Sequence, residues 1–388
     1  MHGRRRSASD REVVGLIVLV LVSCMASPGT AQQVERSAKD DLTGDPAWAI
    51  QTSGTAASLR GLSVVDADVA WASGTAGTVI RTTDGGKHWK SVSVAAEPTL
   101  DFRDIQAFGA NVCVVINAGS PGCIFRTEDG GATWRQVYRN ESQTIFFDAL
   151  AFWDTQRGLA VSDPQAGHYF LLATSDGGKT WEELPSDAAP RADQAEACFA
   201  ASGTVLVARE EAHVWLATGG DRGPQHEPVA RVFSSTDRGQ TWQASETPIR
   251  AGESAGIFSV AFANVDHGVA VGGDYRDETN ARNNVAITDN GGTRWRTAQG
   301  DPPRGYRSCV AIVQRQSERG FIAVGPTGCD VSFDWGNHWQ PLSDLGFHTV
   351  AFAADGTAGW AVGGNGRVAK FVGHALLNQF PRSSPSPE

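Results

Sequence analysis

One short pattern recurs along the chain and limits what the chain can fold into. In residues 82–89 a hydroxyl residue is followed by Asp two positions later, Gly four positions later and Trp seven positions later. We call this pattern a box. Complete boxes return at residues 127–134, 174–181, 235–242 and 332–339. One more copy, the fifth of the six in chain order, occupies residues 288–295 and has Asn in place of Asp. A spacing of roughly 45 to 60 residues indicates an array of small β units.

Each box predicts a tight turn that ends in a buried tryptophan. The Asp side chain bonds to nearby backbone, and Gly adopts the positive φ that such turns need. A tryptophan buries about 150–250 Å², so we interpret the boxes as structural elements rather than reactive centres. The residues given this structural role are Asp84, Trp89, Asp129, Trp134, Asp176, Trp181, Asp237, Trp242, Asn290, Trp295, Asp334 and Trp339.

The segments between boxes share one order of predicted strands. An apolar alternating strand leads, as in residues 147–152, 257–262 and 347–352. A second strand rich in Gly and Ala follows, a third runs into the box, and the Trp opens a fourth. Four short antiparallel strands are the unit of a β-propeller blade.

Counting these units predicts how the ring closes. Six units are complete with a box, and a seventh, residues 347–372, stops after three strands. Residues 48–51 form a short strand without a box and supply the missing strand, which removes exposed sheet edges. The sequence therefore predicts an all-β chain: a seven-bladed β-propeller with box turns, closed by the N-terminal strand, over residues 47–373.

The two ends of the chain are predicted to lie outside the propeller. Arginines, an apolar run of ten residues and a small-residue segment predict a secretory signal over residues 1–31, cleaved after Ala31. Cys24 follows a sequence that resembles a lipoprotein box, so a lipid anchor at Cys24 is the alternative. Residues 32–46 are expected to be a flexible spacer, and the Ser/Pro-rich residues 374–388 a disordered tail. The protein is thus expected to be exported, either periplasmic or secreted.

Charge and motifs exclude several functions. The formal net charge of −10 is spread without a basic stripe, which argues against nucleic acid as a partner. The chain lacks a dinucleotide-binding glycine motif, Cys-x-x-Cys and clustered histidines, so we expect no cofactor and no metal. We expect a monomer that binds a protein or peptide client, with a membrane or envelope protein as one candidate.

Export would allow disulfides among the remaining cysteines. Cys113 and Cys123 flank a turn in one predicted hairpin and are candidates to pair across it. Cys309 and Cys329 lie in one repeat and form the second candidate pair. Cys198 is left over and is interpreted as a buried apolar residue.

Two units depart from the regular order. The fourth has its first strand near Cys198, then an extra segment, residues 202–212, and a long connection, residues 219–228. The fifth has a long charged connection, residues 273–283. Insertions in a regular array are where repeat proteins usually place binding surfaces.

The face opposite the box turns is the predicted binding face. It contains the starts of the first strands and the connections between second and third strands. No catalytic residue is assigned there. The residues expected on this face are Arg60, Arg103, Asp148, Asp163, Asp274, Tyr275, Arg276, Arg307, His348 and Asn365.

The boxes resemble the Asp-box, or BNR, repeats of sialidases, two-propeller xyloglucanases, sortilin-type receptors and the photosystem II stability/assembly factor family. The resemblance to the last of these covers nearly the whole chain after the signal. It rests on the form Thr-x-Asp-Gly-Gly-x-x-Trp and on strands such as Gly268 to Gly272. What it implies is a non-catalytic propeller that binds a protein during assembly of a larger complex.

A glycan-active or glycan-binding propeller of the sialidase-like class, a glycosyl hydrolase if it is an enzyme, is the alternative. A sialidase needs an Arg-Ile-Pro segment and a Tyr nucleophile with a Glu partner. The chain has no Arg-Ile-Pro, and Tyr275 with Asp274 and Glu278 is the nearest match to the second requirement. A xyloglucanase needs two propellers, and this chain has room for one.

Overall fold

The computed structural model describes residues 44–221, 227–316, 318–356 and 358–380. Strands dominate these residues, and we number them in chain order. The first strands are β1 (Trp48–Gln51), then β2 (Leu59–Val64), β3 (Ala70–Gly74), β4 (Val79–Thr82) and β5 (Lys90–Ser91), then β6 (Asp101–Ala107), β7 (Cys113–Ala118), β8 (Gly122–Thr127) and β9 (Arg135–Asn140). The next are β10 (Phe147–Phe152), β11 (Gly158–Gln165), β12 (His168–Thr174) and β13 (Glu182–Glu183).

The second half of the chain continues the series. Its strands are β14 (Glu196–Ala197), β15 (Leu206–Arg209), β16 (His213–Ala217), β17 (Gly219–Gly220), β18 (Arg231–Ser235), β19 (Gln243–Glu246), β20 (Ala255–Phe262), β21 (Gly268–Asp274), β22 (Val285–Thr288) and β23 (Arg296–Thr297). The last are β24 (Cys309–Arg315), β25 (Glu318–Gly325), β26 (Gly328–Ser332), β27 (Gln340–Ser343), β28 (Thr349–Phe352), β29 (Gly359–Val362) and β30 (Val368–Phe371), followed by helix α1 (His374–Leu377).

These strands form seven antiparallel sheets, the blades of a β-propeller. Blades 1, 2 and 3 are β2–β5, β6–β9 and β10–β13; blade 4 is β15, β16, β18 and β19; blades 5 and 6 are β20–β23 and β24–β27. Blade 7 is β28, β29, β30 and β1, so the predicted ring closure by the N-terminal strand is confirmed. The predicted fold class is confirmed with it.

The closing strand is held by pairing and by packing. Trp48 pairs with Phe371 and Gln51 with Val368 in the antiparallel register. The Trp48 ring lies 5.2 Å from the Phe347 ring and 5.1 Å from the Phe371 ring, centroid to centroid, and the side chain is 1% exposed. The first and last strands of the propeller thus share one core.

The apolar core is divided among the gaps between blades. Each pair of neighbouring blades has its own cluster of buried side chains in the described part of the chain. The cluster between blades 1 and 2, for example, includes Trp71 and Val115. Because the sheets pack face to face around the ring, each blade needs two neighbours to bury both of its faces.

The six boxes form turns with one shared set of hydrogen bonds. In the first, the Thr82 hydroxyl donates to Asp84 Oδ1 at 2.9 Å, and the Gly86 amide donates to Thr82 Oγ1 at 2.9 Å. The His88 amide also donates to Asp84 Oδ1. These bonds to His88 lower the pKa of Asp84 to about 2. The hydroxyl thus accepts one turn amide and the carboxylate accepts another. In the fifth box the side-chain oxygen of Asn290 takes the place of the carboxylate and makes the same bonds.

The box tryptophans are buried less uniformly than the sequence predicts. Trp89, Trp181, Trp295 and Trp339 are buried, as expected. Trp134 and Trp242 are half-buried. The Trp134 indole still donates to the Val92 carbonyl of the preceding blade at 2.7 Å.

The start of blade 4 differs from the prediction. Its inner strand is β15, and the segment near Cys198 does not belong to that blade. Strand β14 pairs instead with β17, which pairs with the inner strand β20 of blade 5. The residues between β14 and β15 therefore lie outside the regular strands of both blades.

Both predicted disulfides are wrong, because the strand register separates the cysteines. Cys113 pairs with Thr127, so Cys123 lies four residues further along the partner strand, about 13 Å away at ~3.3 Å per residue. Cys309 and Cys329 both pair with Val324 from opposite sides, which puts them two strand spacings, about 10 Å, apart. A disulfide needs Cα atoms closer than about 7 Å. All five described cysteines are free and buried.

The predicted ends also need correction. Asp45, placed in the flexible spacer, accepts hydrogen bonds from the Trp48 amide at 3.0 Å and the Ser343 hydroxyl at 2.6 Å. The predicted disordered tail begins with helix α1, whose Leu377 is fully buried against blades 6 and 7. The signal over residues 1–31, the lipid anchor at Cys24, residues 32–43 and the tail from 381 lie outside the described residues. No helix in the described residues is long and apolar enough to cross a membrane.

We predict that Trp48→Ala lowers the free energy of unfolding by about 3–5 kcal/mol, the usual cost of removing a buried aromatic side chain. The loss arises because the change opens the core that joins the two ends of the propeller. Chemical denaturation measures it. Trp242→Ala is the control, since this half-buried tryptophan lies away from the closure and its removal should cost less than half as much. Equal costs for the two variants would contradict the closing role of β1.

Candidate functional site

Four inner strands carry a β-bulge at the same place, near their starts. The pairing register shifts between Leu59 and Gly61 in β2, Phe102 and Asp104 in β6, Phe147 and Ala149 in β10, and Ile257 and Ser259 in β20. A bulge leaves one residue unpaired and re-aims its side chain. The residues skipped in this way are Arg60, Arg103, Asp148 and Phe258.

Three of these bulged residues, all except Asp148, line a cavity of about 460 Å³ at the start of the inner strands. This size lies in the range of ligand pockets. The cavity also contains Asp163, Tyr275 and His348, so it brings together five residues of the predicted binding face. The remaining lining residues are Phe146, Cys198, Phe199, Ala200, Ala201, Glu278, Tyr306, Ser308 and Pro326.

A segment between β14 and β15, residues 198–204, crosses the centre of the ring beneath this cavity. We call it the crossing segment. The Cys198 amide donates to Asp163 Oδ1 at 3.0 Å, on blade 3. Arg103 Nη1 donates to the Ala200 carbonyl at 3.0 Å, and Arg60 Nη1 donates to the Ala201 carbonyl at 3.4 Å. These bonds tie the segment to blades 1, 2 and 3.

The far end of the crossing segment is bound to the other side of the ring. The Ser202 hydroxyl donates to the Ser308 carbonyl of blade 6 at 2.8 Å. Thr204 Oγ1 lies 2.6 Å from Ser259 Oγ of blade 5, and the Val260 amide donates to the Thr204 carbonyl. Because the segment contacts five blades, it forms the floor of the cavity.

A buried ion pair anchors the segment at its start. The Glu196 side chain is 1% exposed and pairs with Arg231, whose Nε donates to Glu196 Oε1 at 2.9 Å. The same carboxylate accepts the Thr218 hydroxyl at 2.6 Å and the Asp193 amide at 2.9 Å. A buried charge needs such partners, so removing the carboxylate should loosen the segment.

One wall of the cavity is cationic. Arg103 pairs with Asp101 at 2.8 Å, whereas Arg60 has no carboxylate within 4.0 Å in the described part of the chain. Burial and the charge of Arg103 lower the pKa of Arg60. Burial and the charge of Arg60 likewise lower the pKa of His348 to about 4, so His348 is neutral at pH 7. A guanidinium that is desolvated and unpaired favours an anionic ligand.

The adjacent wall, on blade 3, is acidic. Burial raises the pKa of Asp163 to about 6. Asp148 is fully buried, and among the described residues only the Asp163 amide approaches its carboxyl group, while donating to the Phe146 carbonyl at 3.0 Å. Burial, and then the neighbouring Asp163, raise the pKa of Asp148 well above its usual value. The Tyr169 hydroxyl is also buried, beside the Cys198 thiol.

Five residues of the predicted face do not line the cavity: Asp148, which is buried behind it, and four others. Arg307 is fully buried and binds Asp330 Oδ2 through Nε at 2.8 Å, because strand alternation turns it away from the centre and puts Ser308 there instead. Asp274 pairs with Arg250 at 3.1 Å, and Arg276 pairs with Glu253 at 3.2 Å. Asn365 is exposed in the connection between β29 and β30.

Apart from Tyr275, the aromatic residues of the cavity were not predicted from the sequence. The Phe258 ring stacks on Phe199 at 4.2 Å and meets Tyr306 edge to face at 4.7 Å. Tyr275 approaches Phe258 at 6.2 Å. Phe258 holds the position in β20 that Arg60 holds in β2, so aligning the leading strands would have found it. Phe199 gave no such signal, because its segment does not follow the repeat. No group of three or more possible metal ligands occurs among the described residues.

Comparison with known proteins supports the resemblance seen in the sequence. A family model described as "Photosynthesis system II assembly factor YCF48" matches residues 41–144. A structure of "YCF48 bound to D1 peptide" is similar with a TM-score of 0.58 and 18% identity, covering 85% of this chain and 96% of that one. A structure of YCF48 from Cyanidioschyzon merolae is similar with a TM-score of 0.57 and 19% identity, covering 84% and 98%.

The propeller fold is not confined to YCF48. The Pan2 WD40 domain of Neurospora crassa is similar with a TM-score of 0.57 at 10% identity, covering 85% of this chain and 96% of that one. A search of the curated proteins found no match. The predicted similarity to the photosystem II assembly factor family is thus confirmed, while at these identities the similar structures establish the propeller fold alone.

We predict that Asp148→Asn raises the stability of the protein at pH 7. A carboxyl whose pKa is higher in the folded state than in the unfolded state destabilises the fold as pH rises above its unfolded pKa of about 3.9. The amide cannot ionise, so the gain in stability should be present at pH 7 and shrink toward pH 4. Thermal unfolding across this pH range measures it. A loss of stability at pH 7 would show that Asp148 is ionised and satisfied.

We also predict that Glu196→Gln loosens the crossing segment. The amide leaves Arg231 without its buried counter-charge and keeps the shape of the side chain. Hydrogen–deuterium exchange should become faster across residues 193–204 and stay unchanged in the box turns. Glu253→Gln is the matched control, because Glu253 forms an exposed pair with Arg276. Unchanged exchange in residues 193–204 would contradict the anchoring role of Glu196.

Proposed function

We propose that this protein is an exported, non-catalytic propeller that binds a protein or peptide client. A carboxylate of the client would bind in the central cavity, to the arginines of blades 1 and 2. The observation that carries the proposal is Arg60, a largely desolvated guanidinium beside Arg103 that has no carboxylate partner among the residues the structure describes. Arginine binds carboxylates through paired N–H groups. Each of the two side chains gives one Nη1 bond to the crossing segment, which leaves further donors for a ligand.

The aromatic wall supports a peptide rather than a simple anion. The same cavity is lined by four aromatic side chains, Phe258, Phe199, Tyr306 and Tyr275, which offer an apolar surface for a neighbouring side chain of the ligand. Ligand pockets typically combine such a surface with a few convergent polar groups. A carboxylate followed by an apolar side chain, as in a peptide, fits this combination.

The comparisons support the same class of ligand and add a biological role. The similar YCF48 structure is described as bound to a D1 peptide, and its family is described as an assembly factor. We therefore propose that the client is a membrane or envelope protein bound during assembly. The six boxes act in this proposal as Asp-box turns that keep the ring rigid beneath the site.

We predict that Arg60→Ala weakens peptide binding roughly ten- to hundredfold, since it removes charge-assisted hydrogen bonds to the ligand. The probe is an acetylated hexapeptide of alanine and leucine with a free carboxyl terminus, measured by isothermal titration calorimetry. Arg103→Ala should act in the same direction. Arg294→Ala is the control, because Arg294 is exposed in the box turn of blade 5.

The amidated form of the same peptide tests the carboxylate directly. It should bind as weakly to the unaltered protein as the free acid binds to Arg60→Ala. Equal affinity for the acid and the amide would exclude the proposed contact.

The glycan-active alternative has one structural observation in its favour. Tyr275 and Glu278 line the same cavity as the arginines, which is the combination a sialidase-like site would use. Turnover of a glycoside by the unaltered protein, lost in Tyr275→Phe, would replace our proposal with this one.

A further inference from the structure

We infer that the cavity has a second subsite for a cationic group, formed by Asp163 on blade 3. This inference rests on the proposed carboxylate binding and narrows the ligand to a peptide that carries a lysine or arginine side chain at or next to its free carboxyl end.

The position of Asp163 is the first support. Asp163 lines the same cavity as Arg60 and Arg103, but on a different blade. Its Oδ1 accepts the Cys198 amide, and no described residue bonds to its Oδ2. The carboxylate is therefore held in place by the crossing segment while one oxygen stays open to a donor from a ligand.

The second support is the unpaired carboxyl behind it. Asp148 is fully buried beside Asp163, and no described residue gives its oxygens a well-formed hydrogen bond, because the nearby Asp163 amide donates to the Phe146 carbonyl at 3.0 Å. Native proteins rarely leave buried carboxyl groups unsatisfied. The raised pKa of Asp148 favours its neutral form, so Asp163 is the carboxyl group of this wall that offers a negative charge to a cationic ligand.

The groups that face Asp163 supply no such charge. Asp148 approaches from β10, Tyr169 from β12 and Cys198 from the crossing segment, and none of these is a cation. Arg103 on β6 acts on Asp148, but its guanidinium is bonded to Asp101 and to the Ala200 carbonyl. The wall is short of one positive charge, and a basic side chain of the ligand would provide it.

The ionisation of Asp163 gives this subsite a pH dependence. With a pKa of about 6, the ionised fraction rises from about one tenth at pH 5 to about nine tenths at pH 7. A basic ligand needs the ionised form, so its affinity should rise over this interval. His348, with a pKa of about 4, stays neutral throughout. A ligand with an apolar side chain in the same place should bind no better at pH 7 than at pH 5.

The test compares acetylated hexapeptides of alanine and leucine that end in a free carboxylate. One set carries lysine and the other norleucine, either as the last or as the next-to-last residue, and affinities are measured by calorimetry at pH 5 and pH 7. We expect the better lysine peptide to bind about tenfold tighter than its norleucine partner at pH 7 and to lose most of this advantage at pH 5. Free lysine, which has no peptide chain, should bind much more weakly.

Variants identify the residue responsible. Asp163→Asn keeps an acceptor for the Cys198 amide, and it should abolish the preference for lysine while preserving the affinity for norleucine. Asp289→Asn is the control, because it removes the same charge from an exposed position in the fifth box. Loss of the preference in Glu278→Gln but not in Asp163→Asn would assign the subsite to the other carboxylate of the cavity and overturn the inference.

The outcomes separate this inference from the proposed function. If lysine and norleucine peptides bind equally well and both need the free carboxylate, the cationic subsite is wrong and the proposed function stands. If no peptide shows a dependence on the free carboxylate, the proposed function itself fails.

Discussion

The whole ring depends on the pairing between the first and last strands of the propeller. Every blade buries both faces against its neighbours, so an open ring would expose one face of blade 1 and one of blade 7. Gln51, at the end of the closing strand, makes the connection specific. Its Oε1 accepts the indole N–H of Trp89 in blade 1 and that of Trp360 in blade 7, each at 3.0 Å. One amide side chain thus joins the closing strand to the first box and to the last blade.

Closure of the ring also explains why the residues at the starts of the inner strands can differ between blades, while the box turns at the other end keep the same sequence pattern. The box turns satisfy their own amides, and the clusters between blades hold the sheets at a fixed spacing. Stability is therefore supplied away from the starts of the inner strands. The bulged residues at these starts are not paired with a neighbouring strand. They are Arg60, Arg103, Asp148 and Phe258. A cavity with one cationic, one acidic and one aromatic wall arises from these differences within a regular ring.

Features that depend on the spacing of the boxes along the chain could be predicted from the sequence. Features that depend on which residues lie opposite each other in neighbouring strands could not. A repeat of boxes is visible in any frame, so the blade number and the closing strand followed from it. Register is sensitive to a single residue. Arg307 and Ser308 differ by one position, yet Arg307 is buried against Asp330 while Ser308 lines the cavity. The cysteine pairs failed for the same reason, because residues in one hairpin are close only when they are opposite each other.

The crossing segment could not be predicted from the repeat, because it leaves the repeat. Its sequence, with Ala200, Ala201 and Ser202 in the middle, has no strong local preference, and its course is set by distant partners such as Arg231 and Ser308. The repeat pattern predicts that Cys198 belongs to the first strand of blade 4, because that is the nearest regular element in the chain. A segment that breaks the pattern is better treated as a separate element with its own contacts.

The crossing segment also shows what the charged walls are able to bind. Arg60 and Arg103 each donate to one of its carbonyls, and Asp163 accepts one of its amides. These are the two polar groups of a peptide backbone, contacted from two adjacent walls by three side chains. Each contact uses only part of its side chain: one N–H of each guanidinium and one oxygen of the carboxylate. The floor of the cavity is thus a stretch of peptide backbone already bound by the ring, and the proposed client would form the same kinds of bond with the donors and the acceptor that the crossing segment leaves unused.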